Sequence, residues 1–514
     1  MKSNRLTRLM LLALFTTGTI PELLVAQEQP AKQQQNGEHH RYRFVDIGTF
    51  GGPASFLNPS FNAVPALNSR GITVGSSATS VPTTATNNGF VCGGIDGIVP
   101  FVFHAFKWQD GVVSDLGALP PSDQNCSNAV SINARGEIVG ASETREIDPL
   151  LGIKGLRALL WTHDKMVDLG TLGGKFTVPT GINNRAQVVG GATNTIPDPF
   201  GFGTQTRAFL WQDGIMQDLG TLGGPDSFAE FVNERGQVAG FSFTNSTPNP
   251  VTGLPTGHPF IWENGRMTDL GSLGGTLAGN GGFNMLGGFN NRGELVGLST
   301  LPGDQIVDPF LWNGKKLIDL FTETIGGSPV SANAVNDAGE IVGAAAFSTN
   351  RPFDAYLWRE GVAIDLGTLD GDCYSEGWAI NSKGQVVGIS FAWDFSRQRA
   401  FLWENGSIVD LDTLIPAHSS LQLQWPLAVN DRGEIAGIGG TLGVSPPDYT
   451  TVGHAFVLIP CEHSNEQGCE GGGEAAVPNN PSPAMDNRLT PREIAARMRA
   501  RFGWNRRFGT WPGK

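Results

Sequence analysis

Residues 229–270 read AEFVNERGQVAGFSFTNSTPNPVTGLPTGHPFIWENGRMTDL and contain one complete copy of a pattern that recurs along the chain. Short runs rich in β-forming residues alternate with hairpin-type turns such as Asn-Glu-Arg-Gly at 233–236. No helical period runs through the copy. We therefore predict four strands in it, which we call A to D, at 229–233, 237–242, 259–262 and 266–270.

Three motifs carry the pattern, and each occurs eight times. The first begins with Asp in segments resembling Asp-Leu-Gly-Thr-Leu-Gly-Gly, and the second has Asn seven residues before a strand Gly. The third ends in Phe-Leu-Trp, with Leu458 in place of Trp in the last copy. The Asp set is Asp46, Asp115, Asp168, Asp218, Asp269, Asp319, Asp365 and Asp410, and the Asn set is Asn68, Asn133, Asn183, Asn233, Asn290, Asn336, Asn381 and Asn430.

A four-stranded unit repeated at intervals of about 50 residues is typical of a β-propeller, in which the repeats close into a ring of blades. The chain begins its repeats with a D-type strand at 42–47 and ends them with a C-type strand at 455–459. The first strand can therefore complete the last blade. We predict an all-β, eight-bladed propeller of four-stranded antiparallel blades over residues 41–460.

Composition and charge exclude several classes of protein. The chain has 514 residues, of which 70 are Gly and 39% are hydrophobic, so most of it can bury a core. Its net charge of −13 opposes nucleic-acid binding by the main body. No metalloprotease, nucleophile-elbow, phosphate-loop or calcium-loop motif is present, so no catalytic residue is assigned.

The segments outside the repeats have different compositions. Residues 1–26 resemble a secretory signal peptide, with basic residues followed by an apolar run, and residues 27–40 form a polar leader. No later run is apolar enough for a membrane helix. Residues 461–486 form a linker rich in Cys, Gly and Pro, and residues 487–514 form a basic amphipathic tail with eight basic residues and one acidic residue. We expect a secreted or periplasmic protein.

An oxidising compartment would allow the cysteines to form disulfides. There are five cysteines, so two bonds would leave one free thiol. We favour Cys461 with Cys469, which closes a short loop, and then Cys92 with Cys126, although the sequence does not fix this pairing.

Several repeat segments resemble the bacterial extracellular HAF repeat. The resemblance rests on His104-Ala105-Phe106, His454-Ala455-Phe456, the stretch Asp168 to Gly174, and Ile380-Asn381 followed by Gln385 to Gly388. It covers about four fifths of the chain and implies an exported bacterial protein. It supplies no catalytic residues. Departures from the pattern include Ala186 for Gly, Phe321 and Asp412 in the Asp-Leu-Gly segments, and Pro120-Pro121.

Most repeated polar residues are interpreted as structural. One Asp per blade at a strand end suits a turn acceptor, and one Asn before each A–B turn suits an Asx-turn or left-handed position. The repeated Trp residues suit packing between blades. Asp370, Asp372 and Glu376 break the repeat, so they are candidate Ca²⁺ ligands, although we favour a solvated loop as their explanation. No other cofactor is expected.

The long connections suggest where function lies. The A–B and C–D turns share one face of the predicted ring, and the B–C and D–A connections share the other, where the first B–C connection spans 76–103. Long loops on a rigid scaffold commonly carry binding. We expect a binding module for an extracellular glycan or protein. The alternatives are a carbohydrate-active lyase or hydrolase using loop carboxylates, and a structural cell-surface protein whose basic tail contacts an anionic surface.

Overall fold

The structure is a computed structural model, and it describes residues 39–57, 65–83, 101–162, 165–200, 203–249, 255–276, 286–304, 306–347, 353–393, 397–441 and 453–461. These residues form eight antiparallel sheets, each an up-and-down meander. The predicted eight-bladed propeller is therefore confirmed. None of the described helices is long and apolar enough to cross a membrane.

Blades 1 to 4 are four-stranded sheets in chain order. They comprise β2 (Gly51–Phe56), β3 (Thr73–Pro82), β4 (Phe101–Gln109) and β5 (Val112–Gly117); β6 (Ser127–Ile132), β7 (Ile138–Ile147), β8 (Lys154–Thr162) and β9 (Lys165–Asp168); β10 (Thr177–Ile182), β11 (Val188–Pro197), β12 (Thr204–Gln212) and β13 (Ile215–Asp218); and β14 (Ser227–Val232), β15 (Val238–Phe243), β16 (Gly257–Glu263) and β17 (Arg266–Asp269). The observed strands of blade 4 match the prediction to within two residues.

Blades 5 to 8 follow the same plan, with a broken inner strand in blade 6. They comprise β18 (Leu286–Phe289), β19 (Leu295–Thr300), β20 (Val307–Trp312) and β21 (Leu317–Asp319); β22 (Ser328–Pro329), β23 (Ala334–Val335), β24 (Ile341–Ala346), β25 (Asp354–Arg359) and β26 (Val362–Gly367); β27 (Tyr374–Ile380), β28 (Val386–Phe391), β29 (Gln398–Glu404) and β30 (Ser407–Asp410); and β31 (Leu421–Val429), β32 (Ile435–Thr441), β33 (His454–Pro460) and β1 (Tyr42–Asp46). Helix α1 (Leu320–Glu323) and a 3₁₀ turn (Leu411–Leu414) follow β21 and β30.

Blade 8 closes the ring with the two ends of the repeat region. Strand β1 pairs antiparallel with β33, from Tyr42 opposite Pro460 to Asp46 opposite Phe456. The predicted closure by the first strand is therefore confirmed. Because blade 8 takes its outer strand from the start of the repeat region and its other three strands from the end, the ring closes without a gap.

The repeated Gly of strand B lies against the ring of the repeated Phe of strand C. In blade 4, Gly240 lies opposite Phe260, and a Cβ on Gly240 would stand 2.2 Å from the carbonyl oxygen of Phe228 and 2.8 Å from the Phe260 ring. Phe260 is fully buried, as are Phe106, Phe209, Phe310, Phe401 and Phe456 at the same position. A side chain larger than hydrogen would displace the aromatic core of the blade, so the motif requires Gly there.

The meander divides the connections between two surfaces, which we call the turn face and the loop face. The turn face carries the A–B and C–D turns, and the loop face carries the B–C and D–A connections. The first B–C connection is shorter than predicted, because β3 continues to Pro82 and β4 begins at Phe101.

Candidate functional site

The eight repeated asparagines form a closed circle of hydrogen bonds at the inner edge of the turn face. Each side-chain amide donates to the main-chain carbonyl oxygen of the equivalent asparagine in the next blade, at 2.9–3.1 Å. The order is Asn68, Asn133, Asn183, Asn233, Asn290, Asn336, Asn381, Asn430 and back to Asn68. We call this the asparagine ring. It ties every blade to both of its neighbours.

Each ring asparagine also shapes its own A–B turn. Its Oδ1 accepts hydrogen bonds from the backbone N–H groups two and four residues later, as Asn233 does from Arg235 and Gln237. This confirms the Asx-turn prediction. The left-handed position is not the Asn but the residue three places later, such as Gly236 with φ of 82°, or Ala186 with φ of 57° in blade 3.

The repeated aspartates occupy the loop face and act as predicted. In all eight blades Oδ1 accepts a hydrogen bond from the N–H two residues later, at 2.7–3.0 Å. Asp319 and Asp410 do so as caps of α1 and of the 3₁₀ turn, because Phe321 and Asp412 replace the Gly that adopts positive φ elsewhere. These carboxylates are architectural.

The repeated Asp also has a partner in strand C, which was not predicted from the sequence. His104, His258 and His454 contact Asp115, Asp269 and Asp46 at 2.8–2.9 Å, and Arg399 contacts Asp410 at 3.0 Å. The signal was available in the sequence, because both positions share one period. These pairs join strands C and D of a blade.

His104 makes the most complete of these contacts. Its Nδ1 faces Asp115, and its Nε2 lies 2.8 Å from the carbonyl oxygen of Ser122, so both nitrogens must donate. Burial disfavours the imidazolium, but the hydrogen bond and charge of Asp115 outweigh it and raise the pKa of His104 above 6.5. The pair stabilises the D–A connection of blade 1 while His104 is protonated.

The candidate Ca²⁺ ligands are not gathered around one point. Asp372 is enclosed by two guanidinium groups, with Arg397 on Oδ1 at 2.7 Å and Arg399 on Oδ2 at 2.8 Å. Glu376 instead accepts hydrogen bonds from Ser331 and Asn333 of blade 6. Asp370 contributes its main-chain oxygen to Arg399. No cluster of three potential metal ligands occurs in the described part of the chain, and the Ca²⁺ site stays a prediction.

Three aromatic side chains lie in a row on the loop face, next to the segment that contains Asp372. The indole of Trp393 stacks on Tyr374 with ring centroids 5.9 Å apart and an interplanar angle of 17°, and Tyr374 contacts Phe353 at 5.1 Å. Trp393 is 57% exposed, whereas Tyr374 is 8% exposed. Trp393 lies outside the Phe-Leu-Trp motif, and this irregular position is the feature of the sequence that distinguishes it from the repeated tryptophans.

The repeated tryptophans behave differently from Trp393. Trp108, Trp161, Trp211 and Trp262 are buried. The Nε1 of Trp161 in blade 2 donates to the carbonyl oxygen of Leu116 in blade 1, at 2.9 Å. This is the predicted packing between blades.

The cysteine predictions are tested only in part. Cys126 and Cys461 are disulfide-bonded, and Cys373 is a free thiol. Cys92 and Cys469 lie outside the described residues, so the pairing stays a prediction. The predicted signal peptide, nearly all of the predicted leader, the predicted linker after Cys461 and the basic tail also lie outside the described residues.

Comparisons with known proteins extend only to the fold. No family model and no curated protein matches the chain. The Dos1 propeller is 8% identical with a TM-score of 0.43, covering 82% of this chain and 95% of its own. The β-propeller domain of the Trilobed protease from Pyrococcus furiosus is 9% identical with a TM-score of 0.37, covering 70% and 95%. An oligogalacturonate lyase in complex with manganese is 10% identical with a TM-score of 0.36, covering 63% and 86%.

Proposed function

We propose that this chain is an exported recognition module of the HAF-repeat kind, which binds a saccharide polymer on the loop face of its propeller. The observation that carries the proposal is the exposed indole of Trp393 held flat against Tyr374. A large exposed aromatic ring on a rigid support offers an apolar surface to the apolar face of a sugar ring.

The surroundings of Trp393 suit a polar ligand. Arg397 follows Trp393 by four residues and its side chain is half-exposed, and Asp372 pairs with both Arg397 and Arg399. Guanidinium groups fixed in this way keep positive charge on this part of the loop face with little loss of side-chain entropy on binding. The site therefore combines one stacking surface with preorganised charge.

Export of the chain rests on the sequence. Residues 1–26 have the composition of a secretory signal, and the HAF resemblance implies an exported bacterial protein. We further propose that the basic tail at 487–514 contacts an anionic surface and keeps the module near the cell envelope. Removal of residues 487–514 should then release the protein from the envelope fraction, and unchanged fractionation would refute the tether.

Among the described residues, the contacts of the repeated aspartates and of Asp372 favour a recognition module over an enzyme. The repeated aspartates bind backbone N–H groups, and Asp372 uses both oxygens on arginines. A catalytic pair needs a carboxylate free to exchange a proton with a substrate.

The test is binding of the mature chain to an array of glycans and bacterial surface polymers, with and without Ca²⁺, while breakdown of each polymer is monitored in the same wells. Saturable binding that Trp393→Ala reduces at least about tenfold supports the proposal. The matched control is Ile215→Ala, which removes a large exposed apolar side chain from the turn face. Breakdown of a polymer would identify an enzyme, and equal binding by both variants would exclude the Trp393 site.

A further inference from the structure

A cleft of about 380 Å³ opens on the turn face where blades 6, 7 and 8 meet. Its volume is within the range of small-molecule sites. Arg359, Lys383 and Arg432 line it, together with Trp403, Glu404 and the start of the first strand at His40. It lies on the opposite face from Trp393, so it is independent of the proposed polymer site.

The cations of the cleft have donors to spare. Arg359 uses Nε on Glu340 at 2.5 Å, and Arg432 uses Nε and Nη2 on Glu434 at 2.6–3.1 Å. Neither contact occupies Nη1, and Lys383 makes no ion pair within the described residues. Three cationic groups with unused donors therefore border one opening. Such an arrangement suits a carboxylate, which accepts two hydrogen bonds side by side.

The buried side of the cleft carries a negative charge, in contrast to its opening. Glu404 is only 4% exposed, and it accepts hydrogen bonds from Gln385 at 2.6 Å and from the His40 N–H at 3.3 Å. Burial disfavours its charge, but these hydrogen bonds outweigh burial and hold the pKa of Glu404 below 4.5. An ionised carboxylate at this depth would repel a compact anion and would accept a hydrogen bond from a hydroxyl.

Two further groups complete the lining. Trp403 presents part of its indole, which can pack against a sugar ring. Tyr42 also lines the cleft, and its buried hydroxyl has no hydrogen-bond partner in the part of the chain that the structure describes. A buried polar group without a partner is unusual in a folded protein and is often satisfied by a bound molecule.

The cleft exists where the repeat is broken by ring closure. The residue equivalent to Glu404 is Gln109 in blade 1, Thr162 in blade 2 and Gln212 in blade 3, and in blade 4 it is Glu263, which is exposed, so none of these four blades has the buried carboxylate. His40 reaches Glu404 only because the first strand enters the ring beside blade 7. The site therefore depends on features that the repeat does not supply.

We propose that this cleft binds a sugar acid, with the sugar carboxylate at Arg359, Lys383 and Arg432 and a sugar hydroxyl at Glu404. Cations at the opening and an anion at the base select a ligand with one charged end and one hydroxylated end. Glucuronate has both ends on one ring, whereas glucose lacks the charge and acetate lacks the hydroxyls.

The test is titration calorimetry of the full mature chain with glucuronate, glucose, acetate and inorganic phosphate. Glucuronate should bind at least about tenfold more tightly than the other three, since each charged hydrogen bond contributes at least a factor of this size. The variant Lys383→Gln should weaken glucuronate binding about tenfold or more. Arg185→Gln changes the equivalent turn residue of blade 3 and should leave binding unchanged.

Three results would overturn the proposal. They are no detectable binding of glucuronate, an affinity for glucose equal to that for glucuronate, or an affinity for acetate or phosphate equal to that for glucuronate. Equal losses in Lys383→Gln and Arg185→Gln would also overturn it. Trp393→Ala separates this cleft from the polymer site, because it should leave glucuronate binding in the cleft intact.

Discussion

The side-chain amide of Asn430 donates a hydrogen bond to the main-chain oxygen of Asn68, 2.9 Å away across 362 positions of sequence. This contact joins blade 8 to blade 1, and it is the link that turns a row of seven identical contacts into a circle. The Oδ1 of Asn430 also accepts from Arg432 and Glu434 within its own turn. One residue therefore supports both the turn and the closure.

Replacement of the amide alone should separate these two roles. Asn430→Asp keeps the turn acceptor but places a carboxylate against the Asn68 carbonyl and beside Glu434. We expect a loss of about 2–4 kcal/mol in the free energy of unfolding, because two buried donors are replaced by repulsion. Chemical denaturation measures this loss. Asp123→Asn, at an exposed position, is the control, and an unchanged midpoint for Asn430→Asp would contradict the role of the ring.

Ala186 is strained, and its removal should stabilise the protein. It has φ of 57°, in the left-handed region, and the other seven blades have Gly at this position with φ of 77–86°. Ala186→Gly should raise the free energy of unfolding by about 1 kcal/mol. Gly236→Ala in blade 4 should do the reverse, because its Cβ would also stand 2.4 Å from Nη2 of Arg185. Calorimetry measures the free energy of unfolding of both variants. Changes of the same sign in the two would show that φ does not determine stability at these positions.

Asp412 should make stability depend on pH. Burial raises its pKa to about 6 from 3.8, with the charge of Asp410 adding to the effect. The folded state therefore favours the protonated acid. The contribution of this acid to the free energy of unfolding is complete below pH 3.8 and is lost as pH rises through about 6. Asp412→Asn should be about 2–3 kcal/mol more stable than the parent at pH 8 and nearly equal to it at pH 4.

Unfolding midpoints across this pH range provide the measurement, with Asp123→Asn again as the control. A constant difference between Asp412→Asn and the parent at all pH values would refute the titration.

The buried pair in blade 2 should be sensitive to loss of either charge. Lys154 Nζ lies 3.5 Å from Oε2 of Glu143, which is fully buried and also accepts from the Cys126 N–H. Lys154→Met removes this counter-charge and should cost about 3–5 kcal/mol. The double variant Lys154→Met, Glu143→Gln should recover part of the loss, since no buried charge remains. A double variant less stable than Lys154→Met in urea would contradict this account.

The sequence predicted the fold well because its information is repeated. Eight copies of one motif specify strands, turns and blade number, and the paired β-strands at the two ends specify closure. The roles of the repeated Asp and Trp followed from the same regularity. The partners of the Asp residues in strand C share that regularity, and they could have been found from it.

The candidate sites could be predicted much less well, because they consist of exceptions. Trp393 gains its role from stacking on Tyr374, and Glu404 from the arrival of His40. Asp372 was predicted as a candidate metal ligand, and in the structure it pairs with Arg397 and Arg399. Each of these contacts joins residues with no periodic relationship, so only the folded chain brings them together.

The pairing of β1 with β33 sets an order of events during synthesis. The strand that leaves the ribosome first has its partner at the far end of the repeat region, so β1 must wait unpaired until His454–Pro460 has been made. Loss of those last residues would remove two strands from blade 8 at once, because β1 would lose β33, the strand with which it pairs. Folding of the ring is therefore completed by its final strand, and an unfinished chain exposes an open sheet edge.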